Sequence, residues 1–317
     1  MKGRPPYYNL LALIGAWIVL FAAFSLKLGG NFGSVGNLVV IVRQGAVVSV
    51  AALGMTYIIV SGGIDLSVGS TVAFVSVVIA WALQAHQTPI VAALLGICAG
   101  GMVGLINGTL ITRLKVGPFI VTLGSLLIVR GIAKGLGHEQ RIDAPLTWLN
   151  DLVSVLGDSQ KWMVFPYGIW LMFGLAVLAA WALKSTRFGR HVIAVGSNEQ
   201  AARLCGVPVQ RVKTLVYMLG GLSAGVAGLL QFARLKVGDP TVAVGLELDV
   251  IAAVVIGGAS LSGGEGTILG ALLGALIMNT IRSGCSQMGL SNWIQEIVTG
   301  LIIVAAVAID RFRARKA

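Results

Sequence analysis

Residues of the types that carry chemistry are few in this chain of 317 residues, and they are scattered. His86, His138 and His191 fall in different polar stretches, and H-E-x-x-H does not occur. Cys98, Cys205 and Cys285 are far apart and show no C-x-x-C spacing, so neither a zinc site nor a disulfide framework is indicated. No Gly-Lys dipeptide occurs, which excludes the usual phosphate-cradling loop ending in Gly-Lys-Ser/Thr. The sequence therefore offers no catalytic, cofactor-binding or metal-binding set. One stretch stands apart, Ser61-Gly62-Gly63-Ile64-Asp65-Leu66-Ser67-Val68-Gly69-Ser70, because Asp65 is the only formal charge between Arg43 and Arg113. A carboxylate set among apolar segments costs roughly 2.5–3.5 kcal/mol on insertion scales unless it is paired or hydrated. The glycines permit a break in a helix, and Ser67 or Ser70 can cap the next one. Two readings stand side by side: a polar break lining a path, formed by Ser61, Asp65 and Ser67, or a capped cytoplasmic turn.

The elements around this stretch are set by composition. The chain is 56% apolar and 11% charged, with mean hydropathy +0.91, whereas a soluble domain carries about 25% charged residues. Too few charges remain to cover a soluble surface. The 43 glycines sit within apolar runs, and small residues let membrane helices approach closely. Residues 96–108 and 220–228 read as helix contact faces. The net charge of +11 does not point to nucleic acid, because the basic residues cluster between apolar spans and not on one water-facing surface.

The expected fold class is all-α, a polytopic transmembrane helix bundle of about ten spans forming a single domain over residues 1–317. The spans are placed at 10–26, 37–60, 66–83, 90–111, 119–136, 162–183, 214–233, 250–261, 268–281 and 293–309. The eighth and ninth are short and read as broken or tilted helices. The first, after Lys2 and Arg4, is longer than a signal-peptide core and is read as uncleaved. Of the 23 Lys and Arg residues, 14 gather on one side, 7 on the other, and Arg43 and Arg130 fall within spans. The positive-inside rule then predicts both termini in the cytoplasm. The longest outer loop, 137–161, carries Glu139, Asp143, Asp151 and Asp158; the longest inner loop is 184–213.

Within that inner loop, Ser197-Asn198-Glu199-Gln200 fits a capping box, with Gly206 and Pro208 as stop signals. A helix over 198–205 is predicted, with Ala201, Leu204 and Cys205 on one apolar face. So short a helix is marginal alone and needs a surface to lie against. That surface is either its own membrane domain or a separate cytoplasmic subunit.

Two short repeats also occur. Arg-Leu-Lys-Val-Gly stands at 113–117 and 234–238, and Ser-Gly-Gly at 61 and 262. The predicted topology puts the first pair on opposite faces and the second on one face, so a single inverted repeat does not explain both, and chance in a biased composition is the reading taken.

Three longer motifs resemble a known family, the membrane permeases of ribose-type bacterial ABC importers for ribose, xylose, arabinose, galactose and autoinducer-2. The first runs from Gly54-Met55-Thr56 to Gly63-Ile64-Asp65-Leu66-Ser67-Val68-Gly69. The second comprises Thr186-Arg187-Phe188-Gly189-Arg190, Ala194-Val195-Gly196-Ser197-Asn198 and Ala201-Ala202-Arg203-Leu204-Cys205-Gly206-Val207. The third runs from Glu247-Leu248-Asp249-Val250 to Gly257-Gly258, then Leu261-Ser262-Gly263-Gly264. Ser197 and Cys205 depart from the expected small residues. The resemblance implies an inner-membrane sugar permease that is not itself an enzyme, with ATP and Mg2+ held by a separate ATPase subunit. It further implies a periplasmic or extracellular substrate-binding protein and a second permease, identical or related. It marks Asn198, Glu199, Ala201, Ala202, Arg203 and Gly206 as the segment coupled to the ATPase, and Glu247 and Asp249 as an outer-face segment. A secondary transporter driven by an ion gradient would use intramembrane acids, for which only Asp65 and Glu296 are available. A channel or scaffold is the remaining alternative.

Overall fold

The computed structural model describes residues 6–314; Lys2, Arg4, Arg315 and Lys316 of the basic tally lie outside the described residues. Twelve α-helices are formed among them. Ten are α1 (Pro6–Leu28), α2 (Val35–Val60), α3 (Val68–Gln84), α4 (Pro89–Leu114), α5 (Pro118–Leu136), α6 (Tyr167–Ser185), α9 (Val209–Leu235), α10 (Leu246–Ile256), α11 (Ile268–Gln287) and α12 (Asn292–Ala314). The other two, α7 (Arg187–Ser197) and α8 (Glu199–Leu204), lie between α6 and α9. The only strands among the described residues are β1 (Ile142–Asp143) and β2 (Val237–Gly238), paired antiparallel.

Each of the ten predicted spans coincides with a helix, but seven helices are long and apolar enough to cross a membrane, and the count of ten is not reached on that criterion. The shortest, α10, has 11 residues, or about 16 Å of rise, roughly half of a hydrocarbon core. It ends where Gly257 packs on Gly270 and Gly258 takes φ +91°. The predicted start of the sixth span at 162 also moves, because Pro166 precedes α6 and residues 158–163 form a tight 3-10 turn.

Boundaries follow from local chemistry. Ser34 caps α2 by accepting from Asn37 N at 3.1 Å. Thr88 and Thr267 cap α4 and α11, and α4 and α5 carry proline in their first turn, where the missing N–H costs nothing. The repeated Arg-Leu-Lys-Val-Gly has a local use: Lys115 and Lys236 end α4 and α9 in the left-handed region, at φ +54° and +63°.

The glycine stretches do form a contact face. Helices α4 and α9 run antiparallel, with Gly100 and Gly104 against Gly221, and Gly108 against Thr214. A Cβ at Gly100 would come within 2.6 Å of the Gly221 carbonyl. Close backbone approach of this kind is how membrane helices gain packing without a hydrophobic drive. The opposite surfaces of α4, α5 and α6 expose large apolar side chains, among them Ile106, Leu127 and Trp181, as a lipid-facing surface requires.

Candidate functional site

The Asp65 break is a buried polar cluster. Asp65 is 2% exposed, and its Oδ1 accepts from Ser67 N at 2.8 Å and from Ser67 Oγ at 2.6 Å. Asn107 of α4 then donates from Nδ2 to Ser67 Oγ at 2.9 Å, while its Oδ1 is buried without a partner. The Tyr217 hydroxyl of α9 donates to the Ile64 carbonyl at 3.0 Å. Ser61 does not join this cluster; its hydroxyl donates to Ile58 O. The sequence singled out Asp65 by its charge, whereas Asn107 and Tyr217 carry none and were missed.

A second irregular segment passes the same place. Gly238 lies against Ser76, Val77 and Ala80 of α3, whereas Ala243 and Glu247 lie against Gly69 in its first turn. Residues 238–243 therefore run back along α3 for about 15 Å. Non-helical backbone at that depth needs internal partners. Arg130 of α5 supplies them, donating from Nη1 to the Pro240 and Val242 carbonyls at 2.9 and 2.6 Å. Asp239 turns the chain by accepting from Thr241 N and Oγ1, and it pairs with Arg141 at 2.9 Å. Glu247 and Asp249, expected in an outer-face segment, stand in the first turn of α10. Glu247 Oε2 faces Gly69, buried and unpaired, and Asp249 pairs with Arg282 of α11 at 2.5 Å.

Beside this segment, α2, α9 and α11 enclose a cavity of about 700 Å³ that Val244 and Leu246 also line. Its wall carries Arg43, Gln44, Gln231, Arg234, Asn279 and Arg282. Such a volume suits a small solute, since sites of this kind span roughly 300–1,000 Å³.

At the far end of the bundle the structure corrects the capping box. Ser197 is the last residue of α7 and its hydroxyl donates to Ile193 O at 2.9 Å. The cap is Asn198, whose Oδ1 accepts from Ala201 N at 2.9 Å. Asparagine is as good a cap as serine, and the unforeseen helix α7, capped by Thr186, uses up Ser197. The six residues of α8 end at Gly206, which takes φ +81° as a helix stop of this kind requires. Glu199 pairs with Arg203 at 2.9 Å and Lys213 at 2.6 Å, and the Lys213 hydrogen bond holds its carboxyl below the ordinary value. Ala202 is buried, but Ala201 and Cys205 are exposed and Leu204 is 89% exposed. The apolar face read from the sequence is thus left uncovered by the described residues.

Helix α7 is tied to the core through glycine. Gly196 packs on the Val60 carbonyl at the end of α2 and on Gly264 N, and Gly264 N donates to Val60 O at 2.9 Å. The two Ser-Gly-Gly segments meet here, with Gly263 against Gly62 and Gly196. One junction therefore joins α7, the end of α2 that leads to Asp65, and the turn between α10 and α11.

Broken helices around a polar cavity within an apolar bundle define a multi-pass membrane permease. The chain belongs to the family described as branched-chain amino acid transport system / permease component, which matches residues 37–307. It is 39% identical over 296 residues to the ribose import permease protein RbsC of Escherichia coli (strain K12), covering 93% of this chain and 91% of that one. RbsC of Bacillus subtilis (strain 168) is 38% identical over 98% of this chain and 93% of its own. The L-arabinose ABC transporter permease protein AraH of Azospirillum brasilense is 37% identical over 96% and 88%. No solved structure matches. The chain is accordingly a multi-pass permease of the bacterial cytoplasmic membrane and not an enzyme.

Proposed function

We propose that this chain is the permease of an ATP-driven importer, moving a monosaccharide across the cytoplasmic membrane by alternating access. The observation that carries the reading is the similarity to ribose and arabinose import permeases over nearly the whole length of both chains. The 14 to 7 basic asymmetry supports cytoplasmic termini and a cytoplasmic coupling loop at 184–213. Ten passes result if residues 239–245 and the half-length α10 together make the eighth. The uncovered face of α8 favours a partner that completes it, and in an ABC importer that partner is the ATPase, which carries ATP and Mg2+. Asn198, Glu199, Ala201, Ala202, Arg203 and Gly206 then form the coupling segment. A substrate-binding protein delivers the solute on the other side, and a second copy or related permease completes the pair. Asp65 and Ser67 act as the polar break beside the path, with Ser61 at the end of α2.

The test is reconstitution of the permease with its ATPase and binding protein in proteoliposomes. ATP-dependent uptake of the monosaccharide that the binding protein delivers, absent without that protein, is the expected result. Uptake that follows an ion gradient without ATP would sink the reading. A tag at Asp151 should be reached from outside intact cells; labelling only after lysis would invert the orientation.

A further inference from the structure

The charge of the large cavity is unbalanced in a way that a neutral sugar does not explain. Four cations line it, Arg43, Arg234, Lys236 and Arg282, against the single carboxylate of Asp249. Only Arg282 is matched, through Asp249. Arg43 of α2 and Arg234 of α9 form no hydrogen bond or ion pair with any described residue. Arg234 also experiences the like charge of Arg282. Arg43 is half-buried and Arg234 exposed, so both are open to a solute, and a planar guanidinium matches carboxylate and phosphate in a two-pronged geometry that a sugar hydroxyl does not. The amides of Gln44, Gln231 and Asn279 share the wall and supply donors and acceptors for hydroxyl groups.

We infer that this cavity binds an anionic sugar, a polyhydroxylated solute bearing a carboxylate or phosphate, with Arg43 and Arg234 holding the oxyanion and the amides its hydroxyls. This rests on the import reading and narrows its substrate class. Arg282 and Asp249 serve as a fixed pair on the wall, so the two unpaired guanidiniums are the discriminating groups.

The experiment uses the full permease–ATPase complex in phosphatidylcholine nanodiscs, with equilibrium binding of radiolabelled gluconate and of glucose. Gluconate should bind, weakening with salt, and glucose should bind at least tenfold less well. The Arg43→Gln and Arg234→Gln variants should each weaken gluconate by roughly tenfold to a hundredfold, the worth of a hydrogen bond to a charged group. Lys134→Gln, on the exposed side of α5, makes the same charge change outside the cavity and should have no effect. Equal binding of both solutes, no binding of gluconate, or equal loss in the Lys134 variant would overturn the inference. So would co-purification of phosphatidylglycerol with wild type but not with the Arg43→Gln and Arg234→Gln variants, without gluconate binding, since that assigns the charge to a lipid. ATP-dependent uptake of the solute delivered by the binding protein, measured on the same preparation, separates the two claims: if it persists while gluconate fails, only the anion is lost.

Discussion

Gly196→Ala tests whether the glycine junction transmits motion between α7 and the core. A Cβ at this position would overlap the Val60 carbonyl and come within 2.6 Å of Gly264 N, so it would sit inside the hydrogen bond that these two groups make at 2.9 Å. Both neighbours are backbone, so no rotamer change relieves the clash. Overpacking of this kind costs about 1–3 kcal/mol, and leaving the carbonyl and amide unpaired costs about another 1–3. Replacing a helical glycine by alanine returns about 1 kcal/mol. The net is roughly 1–5 kcal/mol, enough to part the junction. Transport and ATP hydrolysis are measured together in proteoliposomes, with Gly131→Ala on α5, where a Cβ meets nothing within 4 Å, as the control. The expected outcome is an assembled complex in which the ratio of solute moved to ATP hydrolysed falls about tenfold or more, since each 1.4 kcal/mol is a factor of ten. A normal ratio in Gly196→Ala at normal assembly would show that the junction is packing alone.

Three other outcomes are expected. Asp65→Leu strands the Ser67 amide and hydroxyl, at about 1–3 kcal/mol for each buried group, whereas Asp65→Asn keeps one acceptor; uptake should fall in the order wild type, Asn, Leu. Asp143→Leu, at an exposed position in the 137–161 loop, should be nearly neutral, and equal uptake in Asp65→Leu and Asp143→Leu at matched expression would support a mere capped turn. Ala201→Glu places an unpaired charge on the uncovered face of α8, so ATPase binding should weaken while the permease alone stays folded, and Glu199→Ala should be milder because exposed pairs contribute about 1 kcal/mol or less. Normal transport by Ala201→Glu would remove the coupling role. The Glu199 carboxyl is held below its ordinary value of 4.5, so its pairs with Lys213 and Arg203 contribute fully above that pH and are lost as pH falls through the lower folded value. Melting of wild type and Glu199→Gln should therefore differ by a constant amount at neutral pH and converge only in acid; convergence near neutrality would contradict this.

The helices were legible because each apolar run is bounded by its own chemistry. Ser34, Thr88, Thr267 and the prolines of α4 and α5 act within one turn of where they stand, so sequence order suffices to place them. The eighth span misled for a physical reason. Hydropathy reports that residues 250–261 are apolar, but it does not report that α10 begins at Leu246 and stops at Gly257 because Gly270 approaches its backbone. Likewise α7 has no long apolar run, and its buried residues Gly189, Val192 and Val195 are apparent only once a core is present to receive them.

The site was legible in proportion to charge. Asp65 was visible because a lone carboxylate in 69 residues of neutral sequence demands an explanation, whereas Arg130 was noted only as falling within a span and its partners, the Pro240 and Val242 carbonyls, lie more than 100 residues away. Asn107 and Gly196 have neither mark, and what makes them matter is a partner distant in sequence: Ser67 for the first, Val60 and Gly264 for the second. The Ser-Gly-Gly repeats show the difference most plainly. In sequence they are two short coincidences, yet their glycines meet across 200 residues with Gly196 between them, since only residues without a Cβ let three backbones converge. Asn198 links α8 to α7, and α7 packs on that junction directly. From Val60 the chain needs only five residues to arrive at Asp65. The shortest path of contacts from the exposed face of α8 to the polar break therefore runs through packed backbone, and flexible side chains have no part in it.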